Sequence, residues 1–164
     1  MNMTHTITLN AAELFAIRQF TAKQDIRYYL NGVCIRNGCL DATNGHYLAR
    51  IELATESMPD QAGTYNAPAI RLSNDDLDRF FKTLGTSAKK LEQYVTVSFD
   101  IVGARWVGSI GANGASVSFE MPIDQFPTFE PLLNKNADLT VQPLETPPLL
   151  DWAYLALFNK AARI

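Results

Sequence analysis

The chain has 164 residues, 47% of them apolar and 19% charged, and a net charge of −3. This is the composition of an ordinary globular domain with a core, and nothing in it suggests disorder. The acidic balance argues against tight DNA binding by phosphate neutralisation, which needs a basic surplus, though positive charge on one face alone is compatible with surrounding a duplex.

The apolar runs fall far short of the roughly 18–20 residues that span a membrane. Met-Asn-Met-Thr-His at the start has no basic patch leading into an apolar segment, so no signal peptide is expected and a cytoplasmic location is.

Thr4–Leu9 alternates polar and apolar residues and reads as a strand. Asn10 with Glu13 three positions on has the capping-box pattern, and Leu14, Ile17 and Thr21 give helical spacing to about Ala22. Strands are expected over 31–36, 39–44 and 47–54, with Asn37-Gly38 and Asn44-Gly45 as the turns between them. After a polar connection through Pro59 and Gly63 the order begins again. A strand reads over 65–72, then a helix capped at Ser73 with Leu77, Phe80, Phe81 and Leu84 on its apolar face and Gly85 at its end. Residues 87–92 read as a polar loop. Strands over 94–100, 104–110 and 115–123 follow, the last hairpin turning at 111–114.

The order is β-α-β-β-β twice, an α+β architecture in which each half has a sheet and one amphipathic helix to cover it, with both helices on one side. The main domain is expected over residues 1–133. Residues 134–164 then form a proline-containing linker and an extra C-terminal helix, Trp152–Arg163, with Trp152, Leu155 and Phe158 on one stripe. A strand near Leu139–Gln142 followed by this helix would begin a further repeat. Either the sequence is truncated there or the helix has another job.

The two cysteines flank the Asn37-Gly38 turn. In a two-residue hairpin Arg36 faces Cys39 and Cys34 faces Asp41, which leaves the thiols diagonal at roughly 7 Å. That is poor disulfide geometry, so both are expected to be reduced. They are too few for a metal site, and the two histidines, His5 and His46, are far from them in sequence.

Three stretches belong together: Arg27-Tyr28-Tyr29-Leu30-Asn31-Gly32, Ala42-Thr43-Asn44-Gly45-His46-Tyr47-Leu48-Ala49, and Phe126-Pro127-Thr128-Phe129. Together they resemble the central domain of the bacterial replication sliding clamp, the beta subunit of DNA polymerase III. The second matches the family's Ala-Thr-Asp-Gly-His-Arg-Leu-Ala closely, and the first matches residue for residue. The resemblance covers about residues 4–133 and implies the DNA clamp fold.

The resemblance also implies a peptide-binding groove for a short hydrophobic motif of polymerases and other replication proteins. Its wall maps onto Leu30, Thr43, Gly45, His46, Tyr47 and Leu48, with Pro127, Pro131 and Leu132. The residue types suit that use: Leu30, Leu48 and Leu132 offer apolar surface, Gly45 permits close backbone approach, and Thr43 and His46 offer hydrogen bonds. Against this, Asn44-Gly45 also reads simply as a hairpin turn. Family Asp becomes Asn44, family Arg becomes Tyr47, and later basic residues become Glu130 and Pro131, which removes positive charge near the groove. The groove's other wall belongs to a third domain in the family. Here a neighbouring subunit, a host clamp or the final helix would have to supply it.

DNA contacts of the family map onto Gln24, Arg27, Tyr28 and Tyr29, for weak, sequence-independent contact with double-stranded DNA. Arg18, Lys23, Arg79, Lys82, Lys89 and Lys90 could add a positive strip, or be ordinary solvated charges beside Asp75, Asp76 and Asp78. No glycine-rich nucleophile turn, metal cluster or phosphate loop is visible, so neither an enzyme nor a cofactor is expected.

The implied function is a non-enzymatic replication processivity factor that tethers polymerase to DNA, with self-association into a ring and a clamp loader as expected partners. A miniature form encoded by a phage or mobile element would fit. The alternatives are a truncated clamp and a single-domain module that docks on a replication protein or host clamp without encircling DNA.

Overall fold

The computed structural model describes residues 5–36, 38–53, 70–123 and 126–127. The expected strand near residues 139–142 and the helix over 152–163 lie outside the described residues, as do Pro131 and Leu132.

The described chain is a mixture of antiparallel sheets and few helices. The first elements are β1 (His5–Asn10), α1 (Ala11–Ile17), β2 (Gly32–Arg36), β3 (Cys39–Thr43) and β4 (Leu48–Glu52). Then come β5 (Ile70–Ser73), α2 (Asn74–Leu84), α3 (Ala88–Leu91), β6 (Tyr94–Val102), β7 (Arg105–Ala112) and β8 (Ala115–Pro122).

Local chemistry sets the boundaries. Asn10 caps α1, its Oδ1 accepting from the amides of Ala12 at 2.8 Å and Glu13 at 3.4 Å. α1 is shorter than its apolar spacing suggests, because the chain tightens into a 3₁₀ turn at Arg18–Phe20 and leaves the helix at Thr21. Ser73 caps α2, and the Asp76 carboxylate accepts from the Ser73 hydroxyl at 2.6 Å. Gly85, at φ 88°, ends α2. Asn113 and Gly114 both take positive φ and close a two-residue hairpin between Ala112 and Ala115.

Two expectations give way. Residues 87–92 are not all loop: Ala88–Leu91 turn helically and bury Leu91, the one apolar side chain long enough there to reach the core. Nor does each half keep its own sheet. The sheets run β1-β6-β7-β8 and β4-β3-β2-β5, so each half's first strand joins the other half's hairpin strands. β1 lies antiparallel to β6 from His5↔Phe99 to Asn10↔Tyr94, and β5 pairs β2 from Gly32↔Ser73 to Ile35↔Ile70.

One core joins both sheets. Val33, Ile35, Leu40, Ala42, Ile70 and Leu72 supply it from one sheet; Val95, Val97, Phe99, Trp106, Ile110 and Phe119 supply it from the other. α1 packs on β3 and β4, and α2 on β7 and β8. The two helices meet through Phe15 and Phe81, edge to face at 5.0 Å, and through an Arg18–Asp78 ion pair at 2.6 Å.

Candidate functional site

The outer face of the β4-β3-β2-β5 sheet is polar yet closed. Asp41 is fully buried there, and Arg50, opposite it on β4, grips both carboxylate oxygens at 2.6 and 2.8 Å. Arg36 approaches from β2 at 3.4 Å. The chain beyond β8 returns over this face: Phe126 is buried against Cys34 and Leu48, with the Arg36 guanidinium 5.8 Å from its ring centre. Pro127 follows it.

Pro127 thereby becomes one side of a cavity of about 300 Å³, lined also by Arg27, Tyr29, Leu30, Thr43, Gly45, His46, Tyr47 and Leu48. All the groove residues expected from the sequence that are described stand here: Leu30, Thr43, Gly45, His46, Tyr47, Leu48 and Pro127. They come from three separate parts of the chain. The 3₁₀ turn Tyr28–Leu30 brings one group, the β3–β4 loop the second, and the returning segment the third.

The β3–β4 loop is built by its own side chains. The Thr43 hydroxyl donates to the Tyr47 carbonyl at 2.6 Å and accepts from the Gly45 amide at 3.0 Å. Asn44 Oδ1 accepts from the amides of His46 and Tyr47 at 3.0 and 3.3 Å, an Asx-type turn. Thr43 therefore shapes the loop, its hydroxyl already engaged on both sides, while His46 is exposed at the rim. Tyr47 leans edge to face on Phe20 at 5.7 Å, which ties the loop to the core. Leu30 is buried and forms cavity floor.

Arg27 stands over the loop. Its Nε and Nη2 donate to the two Asp25 oxygens at 3.0 and 2.8 Å, and the Asp25 carboxylate also accepts from the Arg27 amide at 2.8 Å. These hydrogen bonds, the side-chain ones foremost, hold the Asp25 carboxyl at about 2 against an ordinary 3.8. A Cβ on Gly45 would come within 2.8 Å of Arg27 Nη2, and Gly45 sits at φ +89°. The positive φ favours glycine here, and a Cβ would also push the Arg27 guanidinium aside.

The four residues expected to meet DNA divide between two concavities. Arg27 and Tyr29 line the cavity just described. Gln24 and Tyr28 line a separate open groove of about 720 Å³, together with Arg18, Lys23, Arg71 and the start of α2. Tyr28 is 55% exposed, and the Arg71 guanidinium lies 5.7 Å from its ring. The expected positive strip is interrupted by acids: Arg18 pairs with Asp78, Arg27 with Asp25 and Arg79 with Asp76. Lys23, Lys82, Lys89 and Lys90 are exposed cations on or near the same elements.

Sequence reasoning assigned Arg27 and Tyr29 to DNA and missed their place at the cavity. The available signal was local: Asp25 two residues before Arg27 is the spacing of an Asx turn, which folds the arginine back.

Both cysteines are free, and Cys34 faces Asp41 while Cys39 faces Arg36, the register expected of the hairpin. Among the described residues no group of three or more potential metal ligands occurs. None of the described helices is long and apolar enough to cross a membrane.

No protein-family model and no curated protein matches the chain. Among solved structures, it is similar to the DNA polymerase sliding clamp from Pseudomonas aeruginosa in two crystal structures, one of them with a ligand. Identity is 20% in both, and the TM-scores are 0.48 and 0.47. The match covers 82% of this chain and 36% of the clamp chain, so the chain spans well under half the length of those clamps.

Proposed function

We propose that this chain is a clamp-like, non-enzymatic factor of DNA replication, which receives a short hydrophobic peptide of a polymerase or another replication protein in the cavity under Arg27. The observation that carries the reading is the convergence on one small concave site of three separate sequence stretches, each assigned to the groove by the family resemblance. The surface is of the right kind: leucine, tyrosine and proline walls with a few polar groups at the rim. The element order and the contact between α1 and α2 favour the two-repeat clamp architecture with both helices on one side.

A labelled peptide with adjacent leucine and phenylalanine anchors tests it by fluorescence polarisation. Leu48→Asp should weaken binding at least about tenfold, since one buried leucine anchor is worth roughly 1.5–3 kcal/mol. A thermal melt of the variant controls for folding. Equal affinity of the folded variant and the wild type would remove the cavity from the proposal.

A second reading has its own support. Three arginines near the helices and the adjoining loop are engaged by aspartates, which lowers the field available to a phosphate backbone. That favours a module that docks on a replication protein or a host clamp without encircling DNA. Light scattering on a sizing column separates the two. A closed assembly near six copies supports a miniature ring, and a monomer or dimer at every concentration supports docking.

A further inference from the structure

We infer that Asn113 is a self-modification site, where the backbone nitrogen of Gly114 displaces the side-chain amide and the chain acquires an aspartate or an isoaspartate. This chemistry lies at the β7–β8 turn and does not depend on the peptide-binding reading.

The chain has four Asn-Gly steps: Asn31-Gly32, Asn37-Gly38, Asn44-Gly45 and Asn113-Gly114. A glycine after asparagine has no side chain to hinder attack of its nitrogen on the asparagine Cγ. Asn37 lies outside the described residues, and the fold treats the other three differently. Asn31 is held at both ends, its Oδ1 accepting from the Asp25 amide at 3.0 Å and its Nδ2 donating to the Asp25 carbonyl at 2.8 Å, and Gly32 is buried in β2. At Asn44 the side-chain oxygen accepts from two amides, and the nucleophile itself is engaged, the Gly45 amide donating to Thr43 Oγ1 at 3.0 Å. Both constraints must open before the nitrogen and the Cγ can meet.

Asn113 and Gly114 are exposed, at φ 37° and 85°. The Gly114 amide has no hydrogen-bond partner among the described residues, and a Cβ on Gly114 would meet nothing within 4 Å. The Asn113 side chain has one hydrogen bond among the described residues, from Nδ2 to Gln93 Oε1. Nothing therefore restrains the nucleophile, and a single contact restrains the leaving group.

The step is balanced by water alone. Hydroxide from solvent takes the Gly114 amide proton, the nitrogen bonds to Asn113 Cγ, and the Cγ–Nδ2 bond breaks. Nδ2 leaves as ammonia after taking a proton from water. A second water opens the succinimide ring, at Cγ to give aspartate or at the backbone carbonyl to give isoaspartate, with no change of oxidation state. Aspartate sets acceptor against acceptor at Gln93, whose Nε2 already donates to the Lys90 carbonyl. Isoaspartate lengthens the backbone of a turn fitted to the Ala112↔Ala115 pair.

The test incubates the full chain at pH 8, folded and in urea, and follows each Asn-Gly step by acid-stage peptic mapping against synthetic aspartyl and isoaspartyl standards. In the folded chain Asn113 should convert at least about tenfold faster than Asn31 and Asn44, because their hydrogen bonds must first open. In urea the three rates should converge. Thr43→Val, which removes the acceptor of the Gly45 amide, should raise the rate at Asn44 alone. An Asn113 that stays intact in the folded chain while it converts in urea overturns the site. Equal rates at the three asparagines in the folded chain, or an unchanged Asn44 in Thr43→Val, overturn the selection by hydrogen bonding.

Discussion

Cys34 has no exposed surface at the centre of β2, whereas Cys39, two pairs along the same hairpin, is partly open. Burial pushes the Cys34 thiol from an ordinary 9.0 up to about 12. The reactive species is the thiolate, so Cys34 is protected twice, by access and by ionisation. At pH 8 iodoacetamide should modify Cys39 well before Cys34, as peptide mass mapping would show, and equal rates would contradict the packing under Phe126. The sign of the pH effect follows. Below 9.0 the thiol is neutral in folded and unfolded chains alike, so the contribution is fully present. From there toward about 12 only the unfolded chain ionises, and the fold loses stability as the pH rises. Gly45 carries a different constraint. Alanine there must hold φ +89° and displace Arg27. Gly45→Ala should cost about 1–2 kcal/mol in urea unfolding from the backbone alone. It should also return Asp25 toward its ordinary carboxylate range, which a carbon-detected NMR titration reads directly.

At the scale of elements, α2 is where local and tertiary preference agree most closely. Ser73 caps it, Asp75 and Asp76 lie in its first turn, Lys82 in its last, and Leu77, Phe80, Phe81 and Leu84 form one buried face. Ser73→Ala should lower stability by about 1 kcal/mol, measured as a shift of the urea midpoint. A null result would mean that the Asp76 carboxylate caps the helix without the serine hydroxyl. α2 was legible for this reason, and so was the β2–β3 register, because Asn37-Gly38 fixes the facing residues. α3 was not, since four residues with one apolar side chain set no period, and burial of Leu91 decides the matter only in three dimensions. The cavity was half legible. The shape of its loop follows from a turn motif and the loop's assignment to a groove from the resemblance, but the burial of Phe126 on Leu48 and Cys34 joins residues about eighty and ninety positions apart, and no local pattern encodes that.

The exchange of first strands governs the whole molecule. β1 is held by β6 across six residue pairs, and β5 by β2 across four, so neither sheet is complete without the other half of the chain. Sequence periodicity marks each strand but not its neighbour, which is why a sheet per half was the natural expectation. The consequence is thermodynamic. Unfolding the first half removes β1 from the edge of the β6-β7-β8 hairpins and uncovers Leu9's share of the common core. Unfolding the second half withdraws β5 and exposes Val33 and Ile35 beside it. Two halves so joined should melt as one unit. Trp106, 1% exposed in β7, and Cys34, 0% exposed in β2, report on the two sheets separately. In a Trp152→Phe background, tryptophan emission during urea unfolding should follow Trp106 alone. Its midpoint should coincide with that of Cys34 labelling by a brief thiol pulse. Separated midpoints would show that each sheet stands without its borrowed strand, and the strand exchange would then be a matter of topology rather than of stability.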